Sequence, residues 1–380
     1  MKGLFLMFYG FNAYNGISKK IAYQVKALRN NGLDVRICHY ERSDEGERSW
    51  MIDGKPICHL GFGLTAKLRK RVDFRAIVSY IEKEKLDFVY WRTYHNANPF
   101  TIALAKKIKA LGIRLILEIP TYPYDQEYAS LREKIPLAVD QLFRHAFCRY
   151  VDRIVTFSND ETIFGTPTLR ISNGIDFSQI KLHNPQELPV GKRHDIRKEL
   201  HLIAVAEIHY WHGYDRLIKG LFQYYQQQPT YKVYFHLAGP ISGEREQREV
   251  ADAIAHYELK PYVRLYGPLH GEELERFFQQ GDFAIGSLGR HRSGITHLKS
   301  LKNREYAARG FAFAYSECDE DFDDMPYVLK EPADESAIHI QDMIDFCQKL
   351  TLTPGAIRES IRHLSWDEQM KPIVKFLEQD

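Results

Sequence analysis

The order of apolar segments along the chain constrains its fold more than any other sequence feature. Short apolar runs typical of buried strands alternate with longer stretches of helical spacing, beginning with residues 3–9 and 17–31. The polar segment 182–197 interrupts this alternation, which restarts with the apolar run 202–206. Strands that alternate with helices in two separate blocks predict two α/β domains, each built on a doubly wound parallel sheet.

The composition narrows the classes of protein that this chain can represent. With 44% hydrophobic and 27% charged residues, the 380-residue chain can bury two cores, and its net charge of +2 predicts no general attraction to an acidic partner. The five cysteines form no C-x-x-C pair, which argues against a disulfide framework or structural zinc and fits a reducing compartment. The apolar start is too short for a membrane span or a secretory signal, so a cytoplasmic protein is expected.

Two turns in the first block are candidate binding segments. The loop 9–20 follows the first predicted strand and contains Gly16, where a glycine would let an anion approach the N–H groups of the next helix. The loop lacks the dinucleotide-binding and P-loop patterns, and an ordinary strand-to-helix turn is an equal alternative. The second turn, Asn173-Gly174, follows a short predicted strand near the end of the block.

The second block contains two segments suited to a diphosphate. His212 and Arg216 are four residues apart, so they would share one face of a helix near its start, where an anion is favoured. Residues 287–310 form a glycine-containing loop followed by a helix that carries Glu305. The cations of this segment are Arg290, Arg292, Lys299, Lys302 and Arg304. Fixed cations neutralise a diphosphate and a carboxylate can hold two ribose hydroxyls, although a solvated basic loop is the alternative.

The motifs occur in an order that resembles a known family. The matching stretches are Gly16, Ser158, residues 173–176 (NGID), residues 212–218 (HGYDRLI), residues 236–239 (HLAG), residues 263–267 (VRLYG) and residues 305–310 (EYAARG). Together they resemble the retaining glycosyltransferases of the GT-B fold, often called family 4. The resemblance implies two Rossmann-like domains facing across a cleft: an acceptor-side domain at 1–185 and a nucleotide-sugar donor domain at 198–362. Residues 363–380 would form a helix that crosses back to the first domain.

The same resemblance implies a reaction and its partners. A sugar would pass, with retention, from a nucleotide-diphosphate donor to a glycan or lipid-linked acceptor, in cell-surface polysaccharide synthesis. Glu305 would hold the ribose, and Arg216 and Lys302 would neutralise the leaving diphosphate. The remaining donor contacts would come from Gly16, His212, Ser293, Gly294 and His297. No metal or other cofactor is expected, because fixed cations take its place, and no nucleic-acid partner is expected from the balanced charge.

Several positions depart from the family pattern. His297 stands where the family has its first glutamate, eight residues before Glu305. Glu207 and His212 occupy the positions of the usual phosphate-binding arginine and lysine, so Arg216, supported by Lys302, is the predicted substitute.

The acceptor-side catalytic group is also altered. The family's catalytic histidine would fall within residues 118–121 (EIPT), which contain none, and His95 is the nearest alternative. Two other functions therefore stay open: a sugar-nucleotide epimerase on the same fold, and a non-catalytic sugar-nucleotide-binding subunit of a polysaccharide-assembly complex.

Two charged segments support further hypotheses. Residues 319–324 (DEDFDD) contain an Asp-x-Asp, which binds Mn²⁺ or Mg²⁺ in other glycosyltransferases, but a solvated loop is the preferred interpretation. Residues 67–71 (KLRKR), with Leu64 and Phe74, predict either an exposed helix or a basic helix face on the anionic inner surface of a membrane.

Overall fold

The structure, a computed structural model, describes residues 1–11, 16–92, 97–125, 131–183 and 198–379. Its contacts divide the chain into two units, Met1–Ser172 with Trp366–Asp380, and Asn173–Ser365. Most of the predicted linker lies outside the described residues. Residues before it and at its start pack with the second unit, since Ile175 N donates to Leu364 O and His183 N donates to Arg309 O.

The first unit is built on a nine-stranded sheet with the order β4-β3-β2-β1-β5-β6-β7-β9-β8. Its strands are Lys2–Met7 (β1), Asp34–Arg42 (β2), Arg48–Ile52 (β3), Lys55–Gly61 (β4), Phe88–Arg92 (β5), Arg114–Ile119 (β6), Arg153–Thr156 (β7), Thr162–Ile163 (β8) and Thr166–Arg170 (β9). Six neighbouring strands, β2, β1, β5, β6, β7 and β9, run parallel to one another. Strands β3 and β4 form an antiparallel hairpin beside β2. An Asp-Gly pair between two apolar runs favours such a tight hairpin, and Asp53-Gly54 lies at its turn.

Helices cover both faces of this sheet. They are Gly16–Asn30 (α1), Gly63–Val72 (α2), Arg75–Glu84 (α3), Pro99–Ala110 (α4) and Leu131–Cys148 (α5). Leu4 and Leu6 of β1 point into one apolar cluster, while Phe5 and Met7 point into another. A strand buried on both faces needs apolar residues at every position, which explains the unbroken apolar run at the start of the chain.

The second unit is built on a six-stranded parallel sheet with the order β12-β11-β10-β13-β14-β15. Its strands are Glu199–Val205 (β10), Lys232–Ala238 (β11), Val263–Gly267 (β12), Phe283–Ile285 (β13), Ala312–Tyr315 (β14) and Val328–Lys330 (β15). The chain builds outward from β10 to β12 and then returns to place β13 on the other side of β10. The strand order therefore reverses between β10 and β13.

The helices of the second unit are Tyr214–Gln226 (α6), Glu244–Glu246 (α7), Ala253–His256 (α8), Gly271–Gln279 (α9), Leu301–Arg309 (α10), Ile340–Lys349 (α11) and Pro354–Ser360 (α12). A π-helical turn, Gln247–Asp252, joins α7 to α8. Short 3₁₀ turns occupy Tyr210–His212, Arg290–Ser293 and Arg362–Leu364.

The last helix, Trp366–Glu378 (α13), belongs to the first unit. Met370 and Ile373 are fully buried and join the apolar cluster of α1 and β1. Asn30 Nδ2 donates to Asp367 Oδ1 at 3.0 Å, and Arg114 Nη1 donates to the carbonyls of Phe376 and Leu377 at 2.7 Å. Both ends of the chain thus contribute to one core. In the described part of the chain, no helix combines the length and the apolar character that crossing a membrane requires.

Candidate functional site

The candidate site lies at the reversal of strand order in the second unit. Ligands of parallel sheets bind beyond the carboxyl ends of the strands at such a point, between the two loops that leave it in opposite directions. These loops, after β10 and β13, touch each other: Leu288 N donates to His212 O at 2.8 Å. Gly213 has φ 63°, and a Cβ there would lie 2.6 Å from Gly289 N, so only glycine permits this approach.

The segment after β14 lies against the same loop. Ser316 N donates to Ser287 O at 2.9 Å. Cys318 N donates to Thr296 O at 2.7 Å, and Leu298 N donates to Cys318 O at 2.9 Å. Four stretches of chain therefore converge: residues 210–214, 287–298 and 316–319, and the start of α10 at residues 300–303.

Five side chains at this convergence carry buried polar atoms that lack a partner. They are Tyr214, Ser287, Lys302, Asn303 and Glu317, and we call them the polar cluster. Among the described residues, no other residue forms a hydrogen bond with the Tyr214 hydroxyl, Ser287 Oγ, Lys302 Nζ, Asn303 Oδ1 or either carboxylate oxygen of Glu317. An unsatisfied buried polar group costs about 1–3 kcal/mol. Ordered water or a polar ligand can satisfy such groups, and their occurrence at one convergence makes this the candidate site.

The charges within this site act on each other. Burial, with Arg290 adding to the effect, lowers the pKa of Lys302 to about 7, while Glu317 acts in the opposite direction. Burial raises the pKa of Glu317 to about 7, against the attraction of Lys302 and Arg290. Each side chain thus titrates near neutrality, where a bound ligand can determine which form is present.

His212 adds a neutral donor. Its Nδ1 accepts a hydrogen bond from His209 N at 3.0 Å, so the proton of the neutral ring is on Nε2. Burial lowers the pKa of His212 well below its ordinary value, and the charges of Lys302 and Arg290 lower it further. The ring can therefore donate a hydrogen bond to an anion beside Lys302 without carrying a charge itself.

The structure gives Arg216 a different set of partners from those that the sequence predicted. Its Nε donates to Ser336 O at 2.8 Å, and its Nη1 donates to Pro332 O at 2.9 Å and to Leu288 O. The guanidinium is surrounded by main-chain carbonyls and is 2% exposed. Arg216 thus joins the segment 332–336 to the loop after β13, and its Nη2 also lies 3.4 Å from Asp334 Oδ1.

Two other arginines of the predicted basic loop are held by carboxylates. Arg292 makes a bidentate pair with Asp215, with both distances 2.8 Å, and a further bond to Glu335. Arg304, which is fully buried, donates to Asp319 at 2.8 Å and also to Asp321. These pairs fix the loops that surround the polar cluster.

Arg304 also connects two segments that the sequence singled out. It donates to Asn173 O at 2.7 Å, and Asn173 Nδ2 donates to Lys299 O at 2.7 Å, so the Asn173-Gly174 turn packs beside the start of α10. In the acidic segment 319–324, Asp323 accepts from Lys330 at 2.7 Å. Within the described ranges, no three His, Cys, Asp or Glu side chains are arranged to hold a metal ion.

Glu305 lies on α10, with its carboxylate fixed in orientation. Its Oε1 accepts from Arg309 Nε at 3.1 Å and from Nη2 at 3.0 Å. Arg309 is held in turn by Glu275, with bonds of 2.8 and 3.0 Å. The Glu305 side chain is 37% exposed, so its carboxylate is accessible as well as oriented.

The other predicted donor contacts are on the loop before α10. Ser293 Oγ donates to Arg290 O at 2.8 Å, and Gly294 ends that turn with φ 71°. His297 is exposed, with Nδ1 3.0 Å from Thr296 Oγ1. Sequence reasoning missed Glu317, although its place directly after a predicted strand could have indicated it.

The first unit holds the remaining predicted residues. Gly16 is the first residue of α1, whereas His95 lies outside the described residues. At the end of β6, in the predicted position of the family's histidine, Glu118 is buried and paired with Arg92. The same carboxylate accepts from the Tyr90 hydroxyl at 2.6 Å.

Comparison with known proteins reveals structural relatives only. No model of a protein family matches the chain. No curated protein sequence matches it either. The fold is similar to sucrose-phosphate synthase from Thermosynechococcus elongatus, with a TM-score of 0.63, 14% identity, and coverage of 99% of this chain and 98% of that chain.

Two further structures are similar over the whole chain. HepE from Anabaena, solved with UDP, has a TM-score of 0.61 and 13% identity, covering 99% of both chains. The catalytic domain of starch synthase IV from Arabidopsis thaliana, bound to ADP and acarbose, has a TM-score of 0.60 and 14% identity, covering 99% of this chain and 98% of that chain. At this identity the likeness establishes the fold, and the expected α/β GT-B fold with two Rossmann-like sheets is confirmed.

Proposed function

We propose that this chain is a glycosyltransferase that takes a sugar from a nucleotide-diphosphate donor held by the second unit. The observation that carries the proposal is the polar cluster at the reversal of strand order, where Lys302 Nζ is buried and finds no partner among the described residues. The fold is one that HepE uses with UDP and starch synthase IV with ADP. A nucleoside diphosphate would supply negative charge and acceptors to Lys302 and to Arg290 beside it.

In the proposed complex, the diphosphate lies against Lys302, Arg290 and His212 Nε2. As the bond to the sugar breaks, negative charge grows on the leaving diphosphate, and donors fixed in advance stabilise that charge. The role predicted for Arg216 passes to Arg290, whose charge acts on both Lys302 and Glu317. Glu305 holds the ribose, because its carboxylate is oriented by Arg309 and can accept from two adjacent hydroxyls.

The finer assignments follow the family resemblance. We propose retention of configuration, a hexosyl donor, and a glycan or lipid-linked acceptor in cell-surface polysaccharide synthesis in the cytoplasm. No metal has a part in the proposed reaction, because the proposal gives the neutralisation of the leaving group to cationic side chains. His95 is proposed as the acceptor-side group on the sequence resemblance alone.

The donor can be identified by thermal stabilisation. We expect one nucleoside diphosphate and its sugar conjugates to raise the melting temperature, because a ligand that binds only the folded state stabilises it by mass action. Ligand at 100 times its dissociation constant contributes about 2.7 kcal/mol. Glu305→Ala should lose the stabilisation by nucleotides and keep the melting temperature of the free protein.

The same experiment separates the alternatives. Wild-type affinity in Glu305→Ala would exclude the proposed ribose contact, and a flat response to every nucleotide sugar would exclude the function itself. Formation of a new sugar from the donor alone would identify an epimerase. Donor binding without turnover over a broad panel of acceptors would identify a non-catalytic subunit.

We also propose that α2 contacts an anionic membrane surface. Leu64 and Leu68 are four residues apart and 80% and 63% exposed, and Phe62 beside them is also exposed. The helix ends with Arg69, Lys70 and Arg71 in its last turn. Phe74, which the sequence placed on this face, is buried in the core instead. An apolar face flanked by cations matches the interface of an anionic bilayer.

Vesicle sedimentation tests the membrane contact. The wild-type protein should bind vesicles of anionic phospholipid, less strongly as salt is added, since the electrostatic part is screened. The variant Leu64→Gln/Leu68→Gln should lose most of the binding, whereas Leu265→Gln, which changes an exposed leucine of the second unit, should keep it. Binding that is equal in both variants, or insensitive to salt, would contradict this proposal.

A further inference from the structure

Glu317 is the acid of the polar cluster, and its position in the chain is well fixed. It follows β14, and its neighbour Ser316 donates from N to Ser287 O at 2.9 Å. Its own carbonyl accepts from Lys330 Nζ. The side chain is 2% exposed, so the carboxylate is enclosed rather than directed to bulk water.

Neighbouring carboxylates show what a structural role looks like here. Asp319 accepts from Arg304 at 2.8 Å and from Asn303 Nδ2 at 3.1 Å. Asp323 accepts from the Tyr315 hydroxyl at 2.6 Å and from Lys330 at 2.7 Å. Glu317 lies only two residues before Asp319 in the sequence. In the part of the chain that the structure describes, however, no other residue bonds to its carboxylate. Neither of its acceptors is therefore used by another described side chain.

The chemistry of that ligand follows from the charges around it. Lys302 and Arg290 favour an anion, and His212 Nε2 offers a donor to it. The Glu317 carboxylate repels a phosphate at contact and needs hydrogen-bond donors instead. Asn303 Oδ1, beside Gly286, also needs a donor, since no described residue bonds to it. A molecule that carries both an anionic group and adjacent hydroxyls satisfies both halves of the cluster, and a sugar joined to a phosphate is such a molecule.

We propose that Glu317 accepts hydrogen bonds from hydroxyl groups of the transferred sugar and so determines which donor sugar is bound. This inference rests on the proposed function, because it assigns Lys302 and Arg290 to the diphosphate and Glu305 to the ribose. The residue after Glu317, Cys318, forms a parallel bridge with His297, so Glu317 adjoins the loop before α10.

The test compares a nucleoside diphosphate with its sugar conjugate by isothermal titration calorimetry. In the wild-type protein, the conjugate should bind more tightly than the diphosphate alone. In Glu317→Gln, that advantage should fall about tenfold or more, because hydrogen bonds to a charged acceptor are lost. Binding of the diphosphate itself should be unchanged or stronger, since a negative charge near the phosphates has been removed. The matched control Glu320→Gln alters an exposed acid three residues away and should behave as wild type.

A second arm uses the wild-type protein and donor analogues that each lack one sugar hydroxyl. At least one deoxy analogue should lose the same advantage, and that analogue should bind Glu317→Gln and wild type alike. An advantage that is unchanged in Glu317→Gln, or equal binding of all deoxy analogues by the wild type, would overturn the inference. A wild-type protein that binds no nucleotide at all would instead overturn the proposed function, so the two failures are distinguishable.

Discussion

Lys302→Met is expected to weaken binding of a nucleoside diphosphate by about 100-fold while leaving the free protein as stable as wild type or more stable. The ammonium is buried, and no described residue forms a hydrogen bond with it. In the free protein a buried ammonium without a partner costs stability, so an apolar side chain of similar length removes that cost. In the complex the same ammonium contacts the phosphates, and that contact is lost. Opposite effects on stability and affinity are typical of a binding residue rather than a structural one.

The pH dependence provides an independent measure of the same residue. As pH rises through about 7, Lys302 loses its proton and Glu317 becomes charged, so both changes make the site less attractive to an anion. Wild-type affinity should therefore fall across this range, and the fall should be smaller in Lys302→Met. The control is Lys219→Met, on the exposed side of α6. Wild-type affinity in a folded Lys302→Met protein would remove Lys302 from the site.

Arg304→Met is expected to destabilise the second unit by about 3–5 kcal/mol, because it leaves buried carboxylates without their counter-charge. Arg304 is fully buried and bonds Asp319 and Asp321, as well as the carbonyls of Asn173 and Ser300. Removing one partner of a buried ion pair costs far more than breaking a pair on the surface. The measurement is the unfolding transition of the second unit, followed by calorimetry or denaturant.

A surface pair supplies the comparison. Arg248 is 67% exposed and lies 4.0 Å from Glu244, which is 98% exposed. Arg248→Met should therefore change stability by less than about 1 kcal/mol. Adding Asp319→Asn to Arg304→Met should recover part of the loss, since the uncompensated charge is then removed. A loss below about 1 kcal/mol in Arg304→Met would show that the pair is not the main link between these segments.

The sequence predicted those parts of the fold that depend on local pattern. The unbroken apolar run of β1 and the Asp53-Gly54 hairpin were predictable because burial on two faces and turn geometry each leave a short-range trace. The loop after β13 could likewise be predicted as a loop at the end of a strand, because the strand before it is apolar and the residues after it show helical spacing.

The partner of each cation could not be predicted in this way. Arg216 bonds Pro332 O and Ser336 O, more than a hundred residues away, and no local pattern distinguishes an arginine that binds carbonyls from one that binds phosphate. Arg292 and Arg304 were similarly indistinguishable from Lys302 in the sequence. What identifies Lys302 and Glu317 is the lack of a partner among the described residues, which only three-dimensional contacts reveal.

The return of α13 to the first unit has a consequence for biosynthesis. Because residues 173–365 form the second unit, that unit is inserted into the first, which is therefore discontinuous in sequence. The apolar surface of α1 that Met370 and Ile373 cover is translated before the second unit, but its cover is translated after that unit. The inserted unit can complete its sheet while the N-terminal sheet still exposes that surface to chaperones on the ribosome.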